Sequence, residues 1–201
     1  MKKKFAYFLG ILHDAHIINR PEIWQYGFEI EQKNKKFAIF LASLFNELFG
    51  KKPKLELRKR PWGNYWRLRV YSKKVYEEIV KHDFKKLLKT EPKPIKRELI
   101  RGLFDAEGSV SIGEVRMFNN DTELLESARA VLSQEFGLRC GRVVVSKDDV
   151  WQLPIYAKAD KLKFMKIFKP IHPDKVLLLT KGSNKEAQAK RLEDSIRGVA
   201  K

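Results

Sequence analysis

Two stretches of this sequence carry acids with types and spacing suited to chemistry. Leu99–Gly108 reads L-I-R-G-L-F-D-A-E-G, and Tyr7–His16 reads Y-F-L-G-I-L-H-D-A-H. Each has a helical apolar stripe with small residues four apart: Gly102 and Ala106 in one, Ala6 and Gly10 in the other. Each reaches carboxylates near its C-terminal end, Asp105 and Glu107 in one and Asp14 in the other. Small residues at i and i+4 let two helices approach backbone to backbone. Two such helices side by side would place two carboxylates next to each other. Charges of one sign that close repel unless something positive lies between them, which a divalent cation with oxygen ligands supplies. A single copy could be a buried helix ending in a turn with solvated acids. Two copies half a chain apart point to a paired site.

The elements that must position these acids form one unit used twice. Trp66-Arg-Leu-Arg-Val-Tyr-Ser-Lys73 lines up with Trp151-Gln-Leu-Pro-Ile-Tyr-Ala-Lys158, Leu48-Phe49-Gly50 with Glu135-Phe136-Gly137, Gln32 with Asn119, and Gly10 with Gly102, all in the same order. In the first unit, Phe5–His13 reads as the motif helix and Tyr26–Gln32 as an alternating strand. Phe37–Phe49 reads as a helix stopped by Gly50. Lys54–Arg58 and Tyr65–Tyr71 read as a hairpin, followed by a helix from Lys73 to Lys81 and a short helical piece to Leu88. The prolines of Thr90–Pro94 rule out a helix continuing through that segment. In the second unit, Ile95–Glu107 is the motif helix and Ser109–Phe118 one strand or two. A helix capped by Asp121 follows, then a hairpin of Arg139–Ser146 with Val150–Tyr156, then a helix over Lys158–Phe168. The division expected is a first half over 1–90, a linker at 91–94, a second half over 95–180 and a basic polar tail over 181–201. Each unit has a short antiparallel sheet with helices on one face, a mixed α+β architecture.

Composition bounds the partner. The 201 residues carry 42 Lys and Arg against 25 Asp and Glu, a net charge of +17. Such a field attracts polyanions, nucleic acid first. No apolar run approaches the roughly 18–20 residues needed to span a bilayer, and the single cysteine, Cys140, excludes an intramolecular disulfide. The chain reads as intracellular, cytoplasmic or nucleoid-associated. Alternation sends Lys54, Glu56, Arg58, Arg67 and Arg69 to the open face of the first sheet, with Arg60 at its turn. It sends Arg116 and Arg142 to the open face of the second, with Lys147 at its turn. On this reading the outward positions are mostly cationic. A twisted sheet rimmed by arginine fits a DNA major groove, where arginine reads guanine edges and lysine holds phosphates.

Ile100-Arg-Gly-Leu-Phe-Asp-Ala-Glu-Gly108 resembles the LAGLIDADG motif, and Leu9-Gly-Ile-Leu-His-Asp-Ala-His16 resembles a divergent first copy. With the repeat, the likeness covers residues 5–170 and is to the compact single-chain LAGLIDADG homing endonucleases of archaeal introns. It implies two αββαββα half-domains about a pseudo-two-fold axis with the motif helices between them. It also implies a monomer that makes site-specific double-strand cuts in a long, nearly asymmetric DNA target. The implied cofactor is Mg²⁺, with Mn²⁺ substituting and Ca²⁺ binding without cleavage. By the same resemblance Glu107 is the metal-binding acid of the second copy, and Asp105 is structural. In the first copy an ungapped match puts Ala15 at the acid's position, whereas a one-residue deletion puts Asp14 there. Asp14, the carboxylate near that site, is the assignment, with the Ala15 backbone carbonyl as a further oxygen; an inactivated first copy is the alternative. His13 and His16 are expected as turn or DNA contacts. Gln32 and Asn119 match the family's water-positioning amides. Lys73 and Lys158 match its basic residue near the scissile phosphate, with Lys33 and Lys74 as neighbours that could serve instead. The rival functions are an RNA maturase that binds intron RNA and a DNA-binding protein of the same fold without catalysis.

Overall fold

The computed structural model describes residues 1–61, 63–111, 114–146 and 149–180. The first half runs α1 (Lys3–Ile11), β1 (Ala15–Arg20), β2 (Gln25–Gln32), α2 (Lys35–Phe49), β3 (Lys54–Arg60), β4 (Gly63–Tyr71), α3 (Lys73–Val80) and α4 (Phe84–Thr90). The second runs α5 (Lys93–Glu107), β5 (Gly108–Val110), β6 (Val115–Phe118), α6 (Thr122–Gln134), β7 (Val144–Val145), β8 (Trp151–Ile155) and α7 (Lys158–Phe168), followed by α8 (Pro173–Thr180). The sheets are β1-β2-β4-β3 and β5-β6-β8-β7, antiparallel throughout and identical in order. This is the expected pair of αββαββα units.

Side-chain caps set the helix starts. Asn34, Ser72, Asp83 and Asp121 each accept a hydrogen bond from the backbone N–H three residues on, satisfying a donor that has no partner inside the helix. Gly50 closes α2 at φ 63°, a left-handed conformation that glycine adopts without a Cβ penalty. The core is aromatic in the first half, where Phe8, Phe28 and Phe45 pack with ring centroids 5.4–5.8 Å apart. In the second half Phe104 and Phe168 flank Phe164.

Between the halves, α1 lies directly on α5. A Cβ added to Gly102 would sit 2.0 Å from the Tyr7 carbonyl oxygen, and one added to Gly10 would sit 2.4 Å from that of Leu99. Only hydrogen fits at this crossing, which is the close approach the small-residue spacing implies. Ala6 is fully buried in the same seam.

Three element readings need correction. β1 escaped the alternation test because its adjacent Ile17 and Ile18 point to opposite faces, one 40% and the other 5% exposed. The strand expected over Arg139–Ser146 contracts to Val144–Val145. Pro154, next in line on β8, has no N–H to extend the ladder toward Arg142, and only its carbonyl still accepts, from Gly141 N at 2.8 Å. The second motif helix begins at Lys93 rather than Ile95, with Pro94 in its first turn, where a missing N–H costs nothing. Lys147 and the tail 181–201 lie outside the described residues.

Candidate active site

The motif helices converge on their acids. α5 delivers Glu107 at its last residue. α1 passes into a short 3₁₀ turn, Leu12–Asp14, that sets Asp14 immediately before β1. After the turn, Asp14 lies within electrostatic reach of Glu107, whereas Ala15 opens β1 opposite Ile30 and packs against the core. Gln32, only 7% exposed at the end of β2, donates from Nε2 to Asp14 Oδ2 at 2.8 Å.

Electrostatics couple the acids. Burial, with the charge of Asp14 adding to it and the pull of Lys175 opposing, pushes Glu107 up to about 7. Loss of water pushes Asp14 up to about 6, although the residue keeps an open side to solvent; Lys175 and the Gln32 hydrogen bond oppose the shift. The two titrate as a pair, with protons held near neutral pH. Two poorly hydrated carboxylates, one raising the proton affinity of the other, are a donor set suited to a hard divalent cation, and Gln32 adds an oriented amide. Among the described residues no third His, Cys, Asp or Glu joins them, so the remaining ligands would be waters or substrate oxygens. The Glu107 side opens into a cleft of about 340 Å³ lined also by Gly108, Phe118, Ser146 and Val150.

Residues 94–169 match the family model described as a LAGLIDADG-like domain. The chain is similar to I-DmoI, solved in complex with DNA and Mn, with TM-score 0.66 and 22% identity over 83% of this chain and 96% of that one. This is the LAGLIDADG homing endonuclease fold. It is shared with the homing endonuclease I-WcaI bound to its DNA recognition sequence (TM-score 0.66, 18% identity, 89% and 86% of the two chains). Full-length DUF199/WhiA from Thermatoga maritima is also similar (TM-score 0.64, 14% identity, 97% and 67% of the two chains). Among curated proteins, Uncharacterized protein MJ0398 of Methanocaldococcus jannaschii is 25% identical over 178 residues, 80% of this chain. The chain spans 64% of that relative's length.

Within this LAGLIDADG fold, the other residues expected at the site divide. Asp105 is fully buried and accepts from Tyr7 Oη (2.8 Å) and the backbone N–H groups of Ile171 (2.9 Å) and His172 (3.2 Å). It is a strut between the halves. Asn119 spends its side-chain oxygen on Asp121 N at 2.9 Å, ordering the turn into α6; no hydrogen bond joins it to Glu107 among the described residues. Lys73 and Lys158 do not reach the acids. β4 runs antiparallel to β2, so Trp66 sits beside Gln32 while Tyr71 pairs with Gly27, five strand residues away, roughly 16 Å. Lys73 follows Tyr71, with Nζ 5.3 Å from the Trp24 ring and 5.6 Å from that of Tyr26. Lys158 follows Ile155, which pairs with Val115 at the end of β6 distal to Glu107. A residue just past the hairpin is therefore carried to the far end of each sheet. Lys74 goes with Lys73, whereas Lys33 directly follows Gln32 at the near end.

The two histidines of the first motif have other neighbours. His13 packs on Phe84 at 4.3 Å with its pKa lowered to about 4 by burial, and His16 is exposed opposite Glu29. The open face of the first sheet is also not mostly cationic. β2 adds Glu29 and Glu31 to it, and β3 adds Glu56. Arg67, 7% exposed, is held between Glu56 (2.8 Å) and Glu29 (3.5 Å). Arg69 meets Glu29 at 2.5 Å, and Arg60 meets Glu31 through both carboxylate oxygens. Lys54 pairs with Glu56, while Arg58 stands exposed opposite Tyr65. On the second sheet Arg116 contacts Glu114 and Arg142 is exposed. Lys175 was not foreseen. Its Nζ donates to the carbonyls of Phe104 (2.7 Å), Asp105 (2.7 Å) and Ala106 (3.1 Å). Burial lowers its pKa to about 8 against the attraction of Asp105, Asp14 and Glu107. No local pattern marks a lysine that lies some seventy residues from its partners.

Proposed function

We propose that this chain is a site-specific endonuclease that hydrolyses both strands of a DNA duplex, with Asp14 and Glu107 holding Mg²⁺ or Mn²⁺ between the scissile phosphates. The observation that supports it best is the meeting of these two carboxylates at the ends of two symmetry-related helices. When bound there, a divalent cation polarises phosphate oxygens and lowers the pKa of a bound water. Gln32 fixes the Asp14 carboxylate through its 2.8 Å hydrogen bond. Lys33 and the exposed Lys54, Arg58 and Arg142 supply cations for phosphates, and the ion-paired Arg60, Arg67, Arg69 and Arg116 present ordered donors to base edges. The protein works as a monomer built from halves at 1–90 and 95–180, and its natural role is intron homing.

The test is cleavage of a randomised duplex library, and of the DNA flanking the gene with the insertion removed, in Mg²⁺ or in a chelator. Metal-dependent cuts in a defined sequence are expected from the wild type. Glu107→Gln should keep sequence-specific binding and lose cleavage. A Glu107→Gln variant that still cuts would overturn the assignment. Binding without cleavage by the wild type would favour a catalytically silent DNA-binding protein.

A further inference from the structure

α8 and the residues before it tie the two halves together at the acids. Asp174 Oδ1 accepts from Asn34 Nδ2 at 2.9 Å, two residues beyond Gln32, and the His172 ring packs on Phe37 at 4.5 Å. Ile171 and His172 hold Asp105 through their N–H groups. Lys175 ends this strap. The last carbonyls of a helix have no partner inside it and carry partial negative charge, which an adjacent cation stabilises. Lys175 meets three of them on α5, just before Glu107. An ammonium has three N–H donors, and here each has a carbonyl. Lys175 therefore has none left for a phosphate, and its effect on the site is by position and charge.

We propose that Lys175 is the internal counter-cation of the Asp14–Glu107 pair, a positioning residue that assembles the two motif ends before a metal arrives and is electrostatically opposed to that metal. The inference rests on the reading of the pair as the metal site. It assigns Lys175 two effects of opposite sign. The charge screens two carboxylates that would otherwise repel each other, so removing it weakens the metal-free protein. The same charge repels a divalent ion, so removing it tightens metal binding. A plain helix cap has only the first effect.

The experiment is Mn²⁺ titration of the full chain, with free Mn²⁺ followed by electron paramagnetic resonance, paired with melting in a chelator and in saturating Mn²⁺. Lys175→Met should melt lower than wild type in the chelator, recover most of that deficit in Mn²⁺ and bind Mn²⁺ about tenfold more tightly, as expected for a removed like charge at short range. Lys175→Arg should bind Mn²⁺ as the wild type does. If Lys175→Met does not fold, Lys175→Gln keeps a carbonyl hydrogen bond without the charge and should show the same tightening. Mn²⁺ affinity equal to or below wild type in the neutral variant overturns the proposal. Adding Glu107→Gln should erase the gain, and a gain that persists shows that Lys175 does not act on this pair. Failure of the site reading is seen separately, as wild-type Mn²⁺ affinity unmoved by Glu107→Gln alone.

Discussion

Glu107 should destabilise the metal-free protein at neutral and alkaline pH, and its replacement by glutamine should make the protein more stable while destroying its activity. The side chain titrates at about 7 against an ordinary 4.5. A group whose folded pKa is raised contributes stability that is complete below the unfolded value and is lost as pH climbs through the folded one. Here that window runs from about pH 4.5 to about pH 7. At roughly 1.4 kcal/mol per unit the shift corresponds to about 3 kcal/mol, and solvent on the open side of the half-buried carboxylate reduces this to about 1–3 kcal/mol. Glutamine has the shape of the protonated acid and never ionises, so it escapes the loss. Calorimetry in a chelator should show Glu107→Gln melting roughly 3–8 °C above wild type at pH 8 and level with it near pH 4.5. Adding Ca²⁺ or Mn²⁺ at pH 8 should raise the wild type toward the variant and leave the variant where it was. A variant that melts at or below wild type at pH 8 would refute the account, because it would mean Glu107 is not held against Asp14 in a poorly hydrated seam.

Four further outcomes follow from the geometry. Gly102→Ala places a methyl 2.0 Å from the Tyr7 carbonyl oxygen, backbone that cannot yield without parting the halves. A loss of at least about 3 kcal/mol in denaturant unfolding is expected, and an unchanged midpoint would disprove the close crossing. Lys73→Ala and Lys158→Ala should cleave within about threefold of wild type in single-turnover assays, because each lysine sits at the end of its sheet away from the acids; a hundredfold loss in either would place a lysine at the chemistry after all. Arg58→Ala should lower the salt slope of DNA binding by about 1 with little change in stability. Arg67→Ala, which leaves Glu29 and Glu56 facing each other, should cost about 2–3 kcal/mol of folding stability.

The motif helices were legible because their signal is local. Small residues four apart, an apolar stripe and a terminal acid all lie within ten residues, and the physics that reads them, steric approach and charge repulsion, is short-ranged. Gln32 was legible for the same reason, at the end of an alternating strand that repeats at Asn119. The second amide then departed from the first because Asn119 has a nearer donor of its own, the N–H of Asp121, and a short side chain satisfies the local bond first. The lysines past each hairpin were misplaced by matching position along the chain without following strand direction. Antiparallel pairing alone shows that the residue following β4 leaves the site. Lys175 and the cross-strand ion pairs of the first sheet were beyond sequence reading. A ladder such as Lys54–Arg69–Glu29–His16 exists only once the register of four strands is set.

That ladder also bears on the target. The two sheets share strand order and pairing, yet their open faces have diverged. The first presents Glu29, Glu31 and Glu56 interleaved with Arg67 and Arg69, so acceptors and donors stand side by side and hold each other in place. The face formed by β5, β6 and β8 presents Ser109, Arg116, Phe118 and Gln152 in the corresponding rows. Carboxylates accept from cytosine amines and arginines donate to guanine, whereas the second face offers one guanidinium, one amide, one hydroxyl and apolar surface suited to thymine methyl groups. Faces that differ this much cannot be complementary to two copies of one half-site. On the proposed function, a target with a centre of symmetry would be matched on one side and mismatched on the other. The symmetry of the molecule is therefore confined to the seam, where Gly10 meets Gly102 and Asp14 meets Glu107. It is lost outward along the strands, where sequence would be read.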